Sequence, residues 1–252
     1  MRAELLRRQG LTEPPSDWKK SFYSRDRLLY YLRSRSGDMG KAISRALECM
    51  NYLERAVDES YAFEKASEHD KELARLSLRG GMYGVDRRGA SVCYSTFGVD
   101  SWIELVQKTS FEFFVQFDWY SALFFWDTLG IESKAAGMVL NGRLLVLDIA
   151  GISLTRLKRA MDFANRQMGQ WPQKEHPLPD GFHTTLITNV PWVAERLWAT
   201  GKRLFPARDA ARVRLFRQGD PAFLVELQRH TLLNQVPPCF GGSSVEPYPY
   251  TG

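Results

Sequence analysis

Apolar positions recur at helical spacing through the first quarter of the chain and give way to strand-like runs further on. Leu28, Leu29, Tyr31 and Leu32 predict one helix. Ala42, Ile43, Ala46, Leu47, Met50 and Leu53 predict the next, after a break at Gly37 and Gly40. A short basic helix precedes both and is set apart by Pro14-Pro15. Glu54 to Glu72 is highly charged and reads as a solvated helix or linker, and Gly80-Gly81-Met82-Tyr83-Gly84 predicts a loop.

Beyond that loop the period changes. Ala90 to Ser95 predicts a strand, and Leu144-Leu145-Val146-Leu147-Asp148-Ile149 a strand buried on both faces, as in a parallel sheet. Gly151 and Ser153 open a helix with Leu154, Leu157, Met161, Ala164 and Met168 on its inner stripe. Thr184 to Val190 predicts a further strand, stopped by Pro191, with a helix from Trp192 to Leu204 after it. Strand, helix, strand, helix is the pattern of an α/β domain with a largely parallel sheet, here behind an N-terminal helical part.

Phe111 to Trp126 is apolar on nearly every side of a helix, which predicts burial all round. Two readings of it stand: a central core helix, or a wall of a lipid cavity with Phe113, Phe117, Tyr120 and Phe124 turned inward. Aromatic residues make up 13% of the chain, enough to line such a cavity.

A net charge of +5 is too diffuse for a nucleic-acid binder without a recognition motif, and a basic face meeting anionic lipid reads equally well. Cys49, Cys93 and Cys239 are odd in number and widely spaced, so the expectation is a reduced, cytoplasmic compartment with no disulfide framework. No apolar run reaches the length of a membrane span, and a soluble protein is expected.

Enzyme motifs are missing. There is no G-x-S-x-G elbow and no H-E-x-x-H, and the segment around Gly40-Lys41 fails as a phosphate loop at Arg35 and Ala42. His69, His176, His183 and His230 match no metal-ligand spacing and read as isolated surface residues. Asp148, at a strand end, has no nucleophile or base beside it and reads as a carboxylate bonding loop amides. The expectation is a non-enzyme that needs no cofactor and no metal.

Several landmarks fall into one order: Leu29-Tyr30-Tyr31-Leu32-Arg33-Ser34-Arg35, Asp86-Arg87-Arg88-Gly89-Ala90, Leu147-Asp148-Ile149-Ala150-Gly151, Asn189-Val190-Pro191-Trp192, and Val236-Pro237-Pro238-Cys239-Phe240-Gly241-Gly242. Together they resemble the CRAL-TRIO family of lipid-binding domains, over roughly Leu28 to Gly242. The resemblance implies an N-terminal helical region over 1–60. It implies a lipid-binding domain over 80–246, whose sheet floors a hydrophobic pocket. The helix after Asn189-Val190-Pro191 would be the gate, with Trp192, Leu197, Trp198, Leu204 and Phe205 as its apolar face.

Carried over position by position, the headgroup residues would be Arg35, Asp180, Asp209 and Arg212. Asp180 and Arg212 keep the charge of the family's residue, and Asp209 departs from a Thr. Arg143 and Leu145 stand where choline-lipid carriers have a Ser and a Thr, which argues against that headgroup. The basic run Arg196, Lys202, Arg203, Arg208, Arg212, Arg214 and Arg217 would dock transiently on anionic membranes. The resemblance thus implies binding and transfer of a phospholipid, with phosphatidylinositol favoured. A neutral ligand of the retinoid, tocopherol or squalene type, and a membrane-docking regulatory module, are the alternatives.

Overall fold

The computed structural model describes residues 1–14, 23, 25–35, 37–64, 66–97, 103, 104, 107, 111–140, 142–153, 155, 156, 158, 181–204 and 210–248. Its main elements are α1 (Arg2–Arg8), α2 (Arg25–Ser34), α3 (Met39–Glu64), α4 (Glu68–Ser77), β1 (Leu78–Val85), β2 (Ser91–Phe97), α5 (Phe111–Ala135), β3 (Arg143–Asp148), β4 (Phe182–Val190), α6 (Trp192–Gly201), β5 (Val213–Arg217) and α7 (Ala222–His230). Single-turn 3₁₀ helices follow at Lys202–Leu204, Leu233–Gln235 and Pro238–Phe240.

The chain divides into two compact units. The first comprises Met1–Lys65, Val115–Gly142 and Gln173–Gly181, and holds α1, α2, α3 and most of α5. Small residues on α3 (Ala42, Ala46 and Cys49) are fully buried and let Leu5, Tyr31 and Leu28 pack closely. The turn between α2 and α3 explains both glycines that the sequence marks as breaks. Gly37 takes φ +84° and its N–H reaches Leu32 O at 2.9 Å. The Asp38 carboxylate then accepts the Lys41 N–H at 3.0 Å, capping α3.

The second unit comprises Ala66–Phe114, Arg143–Pro172 and Phe182–Gly252 and carries the sheet. Strand order is β1-β2-β3-β4-β5, with β1 antiparallel to β2 and the other pairs parallel. One face is a closed core. Val92, Tyr94, Leu144, Val146, Leu186 and Phe216 pack there under Phe223 and Leu227 of α7 and under Val236, Phe240 and Tyr248 of the C-terminal segment. Tyr248 Oη donates to Tyr94 O at 2.9 Å, and the Tyr83, Tyr94, Phe240 and Tyr248 rings meet edge-on or tilted at 5.0–6.3 Å. Part of the aromatic surplus therefore seals this face.

Two expectations need correction here. Gly80 to Gly84 is not a loop but the middle of β1. The glycines serve close approach: a Cβ on Gly80 would lie 2.2 Å from Tyr94 O, and Gly84 takes φ +56° where the pairing with β2 shifts register. The strand Leu144–Asp148 is likewise not buried equally on both faces. Leu144 and Val146 are fully buried, whereas Leu145 and Leu147 are only half-buried. Side chains alternate along a strand, so this difference belongs to the two faces of the sheet.

Candidate functional site

The half-closed face of the sheet is built from two rows running across four strands. Cys93, Leu145, Thr185 and Val213 are in register, and beside them stand Ser95, Leu147, Ile187 and Leu215. Cys93 and Ser95 are buried, and the other six are half-buried. Leu145, Leu147, Ile187 and Leu215 are thus large aliphatic residues that the described chain covers incompletely. The surroundings of Cys93 are dry: burial pushes its thiol up to about 11, against the pull of the Arg143 guanidinium. Arg143, at the head of β3, is itself fully buried.

At the opposite end of β3, Asp148 braces the loop edge, as the sequence reading expects. Its Oδ1 accepts the Ala150 N–H at 2.8 Å and the Asn189 side-chain amide at 2.7 Å. Asn189, next to last in β4, takes φ +58° where the pairing with β5 shifts register, just before Pro191 starts α6. α6 is tied to β5 by Arg217 Nε donating to Glu195 Oε2 at 2.6 Å. Trp192 leaves 58% of its surface exposed, with the Arg196 guanidinium 5.2 Å above the ring. Trp198 is half-buried, and Lys202 and Arg203 are exposed. Leu197 and Leu204 lie in described backbone, but their side chains and all of Phe205 fall outside the described residues.

Of the four headgroup residues, Asp180 and Asp209 lie outside the described residues. Arg35 is half-buried in the first unit, in the turn after α2. Arg212 is half-buried in the second unit, where its carbonyl accepts the Thr185 N–H at 2.8 Å beside β5. Of the four expected wall residues, Phe113 is buried and Phe117 half-buried, but Tyr120 and Phe124 are exposed. Burial of this helix on all sides is therefore wrong, because α5 has a solvent face.

The histidines also need correction, since two of them are neither isolated nor on the surface. His183 and His230 are half-buried with ring centroids 5.8 Å apart, each beside a buried carboxylate. Asp86 Oδ1 accepts the Arg88 and Ala90 N–H groups at 2.8 and 3.0 Å. Its Oδ2 takes Arg88 Nη2 at 2.7 Å and stands 3.6 Å from His183 Nε2. Burial alone would raise this carboxyl, but His183, Arg88 and the Ala90 amide overcome it and hold it at about 2. Glu226 binds Arg214, Arg229 and His230 at 2.6, 2.9 and 3.1 Å. Burial also lowers the His183 imidazole below its usual range. This network joins the β1–β2 turn to α7; Glu226, Arg229 and His230 stand at helical spacing on α7, but no spacing in the sequence announces the Asp86–His183 link. Among the described residues no group of three or more His, Cys, Asp or Glu is placed to hold a metal ion, and no helix is long and apolar enough to cross a membrane.

No protein-family model and no curated protein matches the sequence. The crystal structure of Sfh5 does match the fold, with a TM-score of 0.59 over 88% of this chain and 72% of that one. Its sequence is 15% identical. The fold is CRAL-TRIO-like. A CRAL-TRIO-like fold joins helices to a mostly parallel sheet, which is the architecture seen here.

Proposed function

We propose that the chain binds one membrane lipid against the half-closed face of its sheet and carries or presents it between membranes, without chemistry on the ligand. One observation carries this reading: β3 is fully buried on one face, while Leu145, Leu147, Ile187 and Leu215 on the other remain half-covered. A row of incompletely covered aliphatic side chains next to a dry thiol suits an acyl chain. The CRAL-TRIO-like fold supports lipid binding at the same coarse level. Phosphatidylinositol or a related phospholipid is the ligand of choice, because Arg212, in the unit that carries the sheet, is a cation suited to a phosphodiester. The exposed Trp192, with Arg196, Lys202 and Arg203 following it, supports reversible docking on anionic bilayers from the cytoplasm. Each such cation contributes on the order of 1 kcal/mol near the surface.

The test is native mass spectrometry of the purified chain, identification of the extracted lipid, and a transfer assay between phospholipid vesicles. One lipid per chain and net transfer are the expected results. Protein that carries no lipid and takes none up from vesicles containing phosphatidylinositol overturns the reading.

A further inference from the structure

Thr185 puts a hydroxyl among the aliphatic side chains of the half-closed sheet face. It stands in the row of Cys93, Leu145 and Val213. Leu186, next in β4, is fully buried in the core, so alternation turns Thr185 to the other face with Ile187. Leu145 and Val213 flank it, and all three are half-buried. Two other hydroxyls nearby are engaged. Thr184 Oγ1 meets His183 Nδ1 at 2.9 Å, and Ser95 Oγ donates to Arg79 O at 3.4 Å. Thr185 Oγ1 makes no hydrogen bond to any described residue.

In the free protein water reaches this half-exposed hydroxyl and satisfies it. A lipid that covers the face expels that water. A hydroxyl pressed against hydrocarbon without a partner is costly to bury, so a well-bound ligand brings it an acceptor. The position of Thr185 says which acceptor. Its N–H donates to Arg212 O at 2.8 Å, so it adjoins the residue that the lipid reading gives to the phosphate. Arg212, then Thr185 level with Val213, then Ile187 level with Leu215 follow in that order along the sheet. A glycerophospholipid has the same order: phosphate, acyl ester carbonyls a few bonds away, then hydrocarbon. An ester is also uncharged, which suits a row whose Cys93 end is dry. The Arg143 guanidinium near that end is fully covered, so it is not offered to a phosphate.

We infer, resting on the lipid reading of this face, that the Thr185 hydroxyl donates a hydrogen bond to an acyl ester carbonyl of the bound lipid. Thr185 thereby selects ester-linked glycerophospholipids over ether-linked lipids and plain hydrocarbons.

The test uses the full chain and Thr185→Val, which removes the hydroxyl and keeps the β-branched shape. Each protein is equilibrated with vesicles holding equal amounts of diester phosphatidylinositol and its dialkyl ether analogue, which lacks the carbonyls. Native mass spectrometry of the re-isolated protein then reads which lipid it carries. The parent should carry the diester in about tenfold excess, because the ether leaves the hydroxyl unsatisfied. Thr185→Val should carry the two nearly equally, and Thr185→Ser, which keeps the donor, should retain the parent's excess. Thermal midpoints check folding, and the parent's own ratio needs no variant. A parent that loads both lipids equally, or a folded Thr185→Val with the parent's ratio, would overturn the inference and leave the lipid reading standing. So would a Thr185→Val that loads less of both lipids at the parent's ratio, which would make the phosphate the acceptor. A parent that takes up neither lipid would sink the lipid reading and this inference together.

Discussion

Leu144 and Leu147 lie three residues apart on one strand, and the lipid-binding reading gives them opposite phenotypes. Leu144 is fully buried between β2 and β4, in the core closed by α7 and Tyr248. Truncation to Ala there removes buried methyl groups and leaves a cavity that close neighbours fill only in part, at a cost of about 3 kcal/mol. For a chain of this size that lowers the thermal midpoint by about 6–12 °C. Bound lipid should be little affected in the protein that remains folded. Leu147 is half-buried, in the row with Ile187 and Leu215. If ligand fills the space beyond that row, Leu147→Trp places an indole in the ligand's volume. The fold should then lose less than about 1 kcal/mol, whereas overpacking a filled core costs about 1–3 kcal/mol. Lipid occupancy should fall several-fold. Calorimetric midpoints, read beside the lipid-to-protein ratio from native mass spectrometry, separate the two cases. A Leu147→Trp variant destabilised as much as Leu144→Ala, with lipid occupancy unchanged, would refute the assignment of this face to the ligand.

The remaining predictions concern the buried network, the headgroup and α6. Asp86 has a folded value of about 2 against an ordinary 3.8, so its contribution is complete above 3.8 and is lost as pH falls through about 2. Denaturant titrations from pH 5 to 2 should show about 2 kcal/mol of this loss, and Asp86→Asn should lack it. His183 is held below its ordinary 6.5, so the unfolded chain takes up its proton first and stability starts to fall as pH drops below 6.5. His183→Gln should flatten that part of the pH profile, and an unchanged slope would mean that His183 is not responsible. Arg35→Ala and Arg212→Ala should each weaken phosphatidylinositol binding about tenfold or more with little change in midpoint. If both bind like the parent, a neutral apolar ligand replaces the phospholipid. Replacing Trp192 and Trp198 together with Ala should slow transfer between vesicles, more so at high salt, while bound lipid is retained. A large fall in midpoint with loss of lipid would show α6 to be core instead.

Periodicity was enough for the types of α2, α3, β2, β3, β4 and α6 and for the α/β class, but not for β1, which read as a loop, nor for β5 and α7. The 3.6-residue rhythm of α2 and α3, the unbroken apolar run of β3, and Pro191 before α6 are local signals, and burial against any partner leaves the same pattern in the residues. Ordered landmarks such as Asp86 to Ala90 and Asn189 to Trp192 proved legible for a similar reason. At each a side chain or backbone angle does a local job: Asp86 accepts the Arg88 and Ala90 amides between β1 and β2, and Asn189 adopts φ +58° near the end of β4.

What only the tertiary structure decided is where each element finds its partner. Glycine in a sequence marks permissive backbone, but not whether that freedom serves a loop or the close approach of another strand. Gly80 therefore read as a loop until Tyr94 was seen beside it. Leu144 and Leu147 are the same letter, and their division between a sealed face and a half-closed one depends on α7 and a C-terminal segment some 80 to 100 residues further along. The aromatic run of α5 is apolar whether or not anything covers it, so its solvent face is invisible to hydropathy. His183 matches no motif because its carboxylate partner, Asp86, comes from the β1–β2 turn, and folding alone sets it beside His230, whose own partner Glu226 is one turn back on α7. Hydrophobic period is a property of neighbours in the chain; burial and charge pairing are properties of neighbours in space.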